Sequence, residues 1–255
     1  MTRSTDTVLA VLLVALMASW IAAYAVRCAS RGPLEFQRAR QQGGTVFLGL
    51  ALMNAGYWLL EPLARRLAQA RVPAWSLSAA SLLPAAFAGA AASIGLWGAA
   101  AWGLFASSLL DVLDGAVARA AGHASSSGAI LDSVLDRYAE FLLFAGFIVA
   151  FRHNVRVQLL AFAALTGSML VTYSTAKAEA LRLEPPRGLM KRSERMACLV
   201  LGLALAPIST RWVETGVGPA RWHPWPLVGA LALIALLSHL SAIRRFRSLA
   251  RSAPP

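Results

Sequence analysis

Four of the chain's five aspartates fall between residues 111 and 136, in the order Asp111-x2-Asp114-Gly115-x2-Ala118-Arg119-x8-Gly128-x3-Asp132-x3-Asp136. The runs around them read as membrane-buried helix, where one ionised carboxylate costs about 3 kcal/mol. Four together call for a strong compensating charge, and a pair of divalent cations is the simplest source of it. Asp111 and Asp114 are three residues apart and Asp132 and Asp136 are four apart, so each pair shares one face of its helix. Oxygen-only ligands select hard ions, Mg2+ or Mn2+, over zinc. Two such ions near a membrane surface suit a pyrophosphate, whose charge they neutralise and whose displaced oxygen they stabilise.

The residues between the acids sharpen that reading. Gly115 and Gly128 remove side chains where a nucleotide approaches the backbone, and Ala118 does nearly the same. Arg119 continues the stripe 111, 115, 119 and is placed to meet a phosphate. Either glycine alone would read as close helix packing; beside four aspartates, the nucleotide reading prevails. The intervening loop, with His123 and Ser125 to Ser127, is short, which predicts two antiparallel neighbouring helices that aim both acidic pairs at one point.

Those helices belong to a membrane protein. Of 255 residues, 58% are apolar and 14% charged, and the mean hydropathy is +0.59, outside the range of an ordinary soluble domain. Apolar runs long enough, or nearly so, to cross hydrocarbon of about 30 Å occur at 8–26, 75–93, 95–118, 128–151, 155–177, 195–210 and 224–243. The first run is long and lacks a small-residue cleavage site, so it reads as a retained helix. Cys28 and Cys198 lie in or beside apolar runs at no ligand spacing, which excludes a disulfide framework and a thiolate zinc site. His123, His153, His223 and His239 have no acidic ligands beside them and receive no role.

The formal charge of +12 does not point to nucleic acid, because the basic residues cluster at helix ends as membrane topology requires. With the C-terminal tail of Arg244, Arg245, Arg247 and Arg251 in the cytoplasm, all but five of the 24 basic residues fall on that side or in the adjoining helix ends. The exceptions are Arg3, Arg152, Arg156, Arg211 and Arg221. The aspartates then face the cytoplasm. The run 45–60 must have both ends on that same side, since Arg38 and Arg40 precede it and Arg65, Arg66 and Arg71 follow. It is no simple span; 57–70 reads as an amphipathic helix lying in the interface. The resulting organisation is all-α. Residues 1–44 form an extra transmembrane helix with a basic linker, and 45–250 a membrane domain of that interfacial helix plus six spans from 75 to 243. Pro185-Pro186 with Gly188, and Gly216, Gly218, Pro219, Pro224 and Pro226, mark loops.

The aspartate pattern resembles, at every required position, the signature of the CDP-alcohol phosphotransferase (CDP-alcohol phosphatidyltransferase) family. The resemblance implies a six-helix membrane core, usually a homodimer in the cell (inner) membrane, that transfers a phosphatidyl group from CDP-diacylglycerol to the hydroxyl of a small polar alcohol and releases CMP. By that analogy Asp111, Asp114, Asp132 and Asp136 ligate two divalent cations, Gly115, Ala118, Arg119 and Gly128 contact the CDP moiety, and Asp136 is also the general base. Family members often open the first core helix with Pro-Asn followed shortly by Thr; here it reads Pro73-Ala74-Trp75-Ser76-Leu77-Ser78, and Ser76 or Ser78 is expected to supply the helix-start hydrogen bond.

For the acceptor, Tyr173 to Glu179, then Arg187, Lys191, Arg192, Glu194 and Arg195, gather cations at two cytoplasmic helix ends. The positive-inside rule accounts for some of them. Lys177, Arg192 and Arg195 would also suit a phosphate on the acceptor. The segment is similar to that of the prokaryotic branch making phosphatidylinositol phosphate, except that a lysine expected there falls on Thr175. Inositol phosphate, glycerol 3-phosphate, serine and a neutral polyol all stay open. Glu140, one turn after Asp136, is either a support for the site or a polar contact between helices.

Three other readings compete. A CDP-choline or CDP-ethanolamine phosphotransferase acting on diacylglycerol shares the signature. An intramembrane prenyltransferase also binds magnesium pyrophosphate, but on well-separated helices. A cation transporter would favour carboxylates at the bilayer midplane and broken helices, whereas these lie toward helix ends.

Overall fold

A computed structural model describes residues 2–42, 49–122, 126–184, 188–214 and 224–252. Among them the elements are all helices: α1 (Arg3–Arg31), α2 (Gln37–Gln42), α3 (Leu50–Gln69), α4 (Ala74–Ser93), α5 (Trp97–Ala120), α6 (Ser126–Ala150), α7 (Val155–Ala180), α8 (Arg192–Glu214) and α9 (Trp225–Ser252). Five of these, α1, α4, α5, α7 and α9, are long and apolar enough to cross a membrane, and the chain is a multi-pass membrane protein. Long helices suit that setting because each satisfies its own backbone polar groups. The other two long helices near the site, α6 and α8, carry charge: Asp132, Asp136, Arg137 and Glu140 on one, Arg192, Glu194 and Arg195 on the other.

The C-terminal ends of α5, α7 and α9 and the N-terminal ends of α4, α6 and α8 gather at one end of the bundle. The contacts Ser78 to Asp114, Asp111 to Arg192, Arg192 to Asp136 and Thr175 to Arg245 join them there. The apolar core runs through the middle and is built from Leu143, Phe144 and Phe147 of α6, Leu199 and Leu203 of α8, and Leu227, Leu231 and Ile234 of α9, among others.

Helices α5 and α6 follow one another in sequence, and the short loop predicts that they pack side by side. They barely touch; α4 packs extensively on both and separates them. The cause is residue size. A Cβ on Gly89 of α4 would stand 2.2 Å from the Leu142 carbonyl oxygen, and one on Gly146 of α6 the same distance from the Gly89 carbonyl oxygen. On the other side, a Cβ on Gly103 of α5 would lie 2.8 Å from the Pro84 carbonyl oxygen of α4. Backbones this close need glycine, as small-residue packing within membranes does generally. The acidic pairs therefore converge only at the ends of α5 and α6. Gly122, at φ +69°, takes the left-handed conformation that ends α5; His123 and Ser125 lie outside the described residues.

The amphipathic helix expected at 57–70 begins earlier, at Leu50. Its extra turns are held by Asn54, whose buried Oδ1 accepts the Phe36 backbone N–H at 3.1 Å, and by the Trp20 indole, which donates to the Ala55 carbonyl at 3.3 Å. Further along, Leu60 and Ala64 pack on Leu113, Ala116 and Val117 of α5.

Helix α1 is joined to the bundle as well. Buried Asp6 accepts the backbone N–H groups of Gly98 (3.1 Å) and Ala99 (3.0 Å), satisfying the first turn of α5 from a neighbouring helix. The Trp102 indole donates to the Leu9 carbonyl at 2.9 Å. A Cβ on Gly98 would stand 2.2 Å from the Asp6 carbonyl oxygen, so the two helices meet backbone to backbone. Both cysteines are free thiols. Among the loop positions marked by the sequence, Pro185, Pro186, Arg187, Gly216, Gly218, Pro219, Arg221 and His223 lie outside the described residues.

Candidate active site

Three of the four aspartates meet directly: one carboxylate oxygen from each of Asp111, Asp114 and Asp132 lies within 4.8 Å of the others. Asp136, one turn beyond Asp132, has its side chain against that of Asp111 and shares Arg192 with it. That guanidinium donates from Nη1 to both oxygens of Asp111 at 2.9 Å and stands with Nη2 2.7 Å from Asp136 Oδ1. One cation thus bridges the acids of α5 and α6, and such charge-assisted contacts are the stronger kind of hydrogen bond.

Arg192 is held by the local structure of α8. It is the first helical residue, and three residues after Lys191 the carboxylate of Glu194 turns back to accept the Lys191 N–H at 2.7 Å. This is the acidic half of a capping box. The acid also favours the helix N-terminus electrostatically. One turn on, Arg195 is fully buried (1% exposed) beside Glu140 of α6 (4% exposed), with Arg195 Nε 3.8 Å from Glu140 Oε1. Glu140 therefore makes a contact between helices, supporting the end of α8 that carries Arg192.

The residues expected around the nucleotide line the same end. Arg119 folds back over Gly115, so a Cβ on Gly115 would lie 3.1 Å from Arg119 Nη1. Gly115, Ala118 and Gly128 are part-buried and Arg119 is exposed. Lys177 is exposed on α7.

Two further side chains make contacts at this end of the bundle. Ser78 donates from Oγ to Asp114 Oδ2 at 2.5 Å. Neither Ser78 nor Ser76 caps α4: Pro73 stands at the cap with no side-chain hydrogen bond, and Ser76 Oγ donates back to the Pro73 carbonyl at 2.7 Å. The second is Arg245 of α9, whose Nη1 donates to Thr175 Oγ1 at 2.7 Å and to the Val171 carbonyl at 3.3 Å. It reaches the very position on α7 where the phosphatidylinositol phosphate branch was expected to carry lysine.

A model of the family described as CDP-alcohol phosphatidyltransferase matches residues 72–243. The chain belongs to that family. Its relatives include the archaetidylinositol phosphate synthase of Methanothermobacter thermautotrophicus, 30% identical over 186 residues, which cover 73% of this chain and 86% of that protein. The fold is that of the phosphatidylinositol phosphate synthase of Mycobacterium tuberculosis. One crystal structure of that enzyme, with CDP-DAG bound, aligns at a TM-score of 0.63 and 23% identity, covering 74% of this chain and 92% of that one. Another, in complex with manganese and citrate, aligns at 0.64 and 23%, covering 76% and 90%. The family match starts at residue 72, so α1 and α3 of this phosphatidyltransferase lie ahead of it. Membership also sets aside the prenyltransferase and transporter readings.

Sequence reasoning gave Ser78 only a helix-start hydrogen bond and so missed its contact with Asp114. It missed Arg245 because that residue is one of four arginines in a tail read for topology alone.

Proposed function

We propose that this enzyme transfers the phosphatidyl group of CDP-diacylglycerol to a hydroxyl of a phosphorylated polyol, inositol phosphate first among them, and releases CMP. What supports the donor is the complete signature, with carboxylate oxygens of Asp111, Asp114 and Asp132 gathered within 4.8 Å next to Gly115 and Arg119. The oxygen-only donor set fits hard divalent ions, and the bridging position of Arg192 marks where positive charge is needed. Two divalent cations, Mg2+ or Mn2+, held by Asp111, Asp114, Asp132 and Asp136, would neutralise the pyrophosphate and stabilise the leaving oxygen.

The chain's own residues do the rest. Gly115, Ala118 and Gly128 leave room for the cytidine end, and Arg119 meets its phosphate. Asp136 takes the proton of the acceptor hydroxyl as its oxygen attacks the lipid-linked phosphorus. The bond from that phosphorus to the bridging oxygen breaks, and CMP departs with the electron pair. Because a free carboxylate near pKa ~3.9 is a weak base, Asp136 depends on being held at hydrogen-bond distance from that hydroxyl.

The observation that carries the acceptor is Arg245 seated on Thr175. It returns to α7 a cation that the threonine removes, with Arg195 as a charged neighbour, and exposed Lys177 adds further charge. Arg195, buried behind Arg192, contributes its charge from the second row. Relatives named for inositol phosphate products point the same way. On the same reading the site faces the cytoplasm, which the basic helix ends support, and the enzyme works in the cell membrane as a homodimer.

The test is CMP release by the purified enzyme with CDP-diacylglycerol and Mg2+ or Mn2+, across inositol 1-phosphate, inositol, glycerol 3-phosphate and serine. Turnover with inositol 1-phosphate and none with inositol is expected. Turnover with serine or inositol alone would overturn the phosphorylated acceptor.

A further inference from the structure

Helix α4 bears none of the site's carboxylates, yet it is wedged between the two helices that bear all four. Its backbone is locked against α6 at Gly89 and Gly146 and against α5 at Gly103, so its first turns have a fixed position relative to both acidic pairs. Ser78 lies in the second of those turns. Its side chain is buried (5% exposed), as is that of Asp114 (5%), and the 2.5 Å separation of Ser78 Oγ from Asp114 Oδ2 is in the range of a charge-assisted O–H to carboxylate hydrogen bond. The alternative acceptor for this hydroxyl, the Ala74 carbonyl, is 3.5 Å away, too far to compete.

A carboxylate that is to ligate an ion must present one oxygen in a fixed direction, and a hydrogen bond to its other oxygen is the usual way to achieve this. We propose that Ser78 is a positioning residue: its hydroxyl holds Oδ2 of Asp114 and thereby turns Oδ1 toward the oxygens of Asp111 and Asp132. The proposal rests on the reading that the aspartates hold divalent cations. It assigns to α4 a part in ion affinity that neither the aspartate signature nor the helix-start motif contains.

The experiment is Mn2+ binding to the full-length enzyme in detergent without substrate, read from the electron paramagnetic resonance signal of free Mn2+. Ser78→Thr keeps a γ-hydroxyl and Ser78→Val has the same shape without one, so the pair isolates the hydrogen bond; Ser78→Ala is a second hydroxyl-free variant should valine disturb the helix. The half-saturating Mn2+ concentration is expected to rise about tenfold or more in Ser78→Val and Ser78→Ala, the usual scale for losing such a partner, and to stay within about twofold of wild type in Ser78→Thr. The Mn2+ concentration giving half-maximal CMP release should move in parallel. Equal Mn2+ affinity in the threonine and hydroxyl-free variants, or a shift confined to thermal stability, would overturn the proposal. Absence of Mn2+ binding by the wild-type protein would instead remove the metal reading beneath it, a failure visible before any variant is made.

Discussion

Arg192 Nη2 lies 2.7 Å from Asp136 Oδ1, so the cation at the head of α8 is paired with the carboxylate assigned to take the acceptor proton. The same guanidinium holds Asp111. It stands where the site needs positive charge when divalent ions are removed. Deleting it leaves clustered carboxylates without that offset, the situation in which a broken pair is costly. Arg192→Ala is therefore expected to lose several degrees in thermal midpoint in EDTA and to recover most of them in excess Mg2+, whereas the wild type changes much less. A thermal melt of both proteins with and without chelator checks this, and an equal response of the two to EDTA would contradict it.

Asp136→Asn keeps the shape of the side chain and removes its basicity. Losing a positioned base typically costs 10²- to 10⁴-fold, so CMP release should fall by about a thousandfold while the helical circular dichroism spectrum is unchanged. Turnover near the wild-type rate would move the base elsewhere.

Two glycine substitutions should separate chemistry from architecture. A methyl group on Gly115 meets the mobile end of Arg119 at 3.1 Å, whereas one on Gly146 meets the backbone oxygen of Gly89 at 2.2 Å. Gly115→Ala is expected to keep its thermal midpoint and raise KM for CDP-diacylglycerol about tenfold by displacing Arg119. Gly146→Ala should fail to assemble or lose much of its stability, because no side-chain motion relieves that clash. Size-exclusion profiles and steady-state kinetics distinguish the two.

At the far end of the bundle, Asp6 receives two backbone N–H groups of α5. Removing a side chain that caps a helix costs about 1 to 2 kcal/mol, so Asp6→Ala should lower the thermal midpoint by a few degrees. The turnover of the protein that remains folded should match wild type, since the acids lie at the opposite end of α5. A changed KM for either substrate would show that α1 reaches the chemistry.

Long apolar runs made most of the helices legible from residue order alone: 75–93 was expected where α4 spans Ala74–Ser93, and 95–118 where α5 spans Trp97–Ala120. The acidic spacing likewise announced Asp111, Asp114 and Asp132, because a hydrocarbon setting leaves charged side chains few purposes. What stayed hidden were relations between helices distant in sequence. That α4 separates α5 from α6 depends on the facing of Gly89, Gly103 and Gly146, and periodicity along one helix does not say which neighbour a glycine meets. Ser78 and Arg245 were concealed for the same reason. Their partners lie 36 and 70 residues away, and each residue type has a commonplace explanation at its own position. The early start of α3 was obscured by Asn54, a polar residue in an apolar run whose partner, the Phe36 N–H, lies 18 residues back.

The placement of α4 makes the gap between the two acidic pairs a matter of alanine and glycine volumes. A substitution that thickens this spacer by one methyl group would pull the carboxylates of α5 and α6 apart without altering any of them. The tolerance of the chemistry is thus set by residues that have no functional group at all.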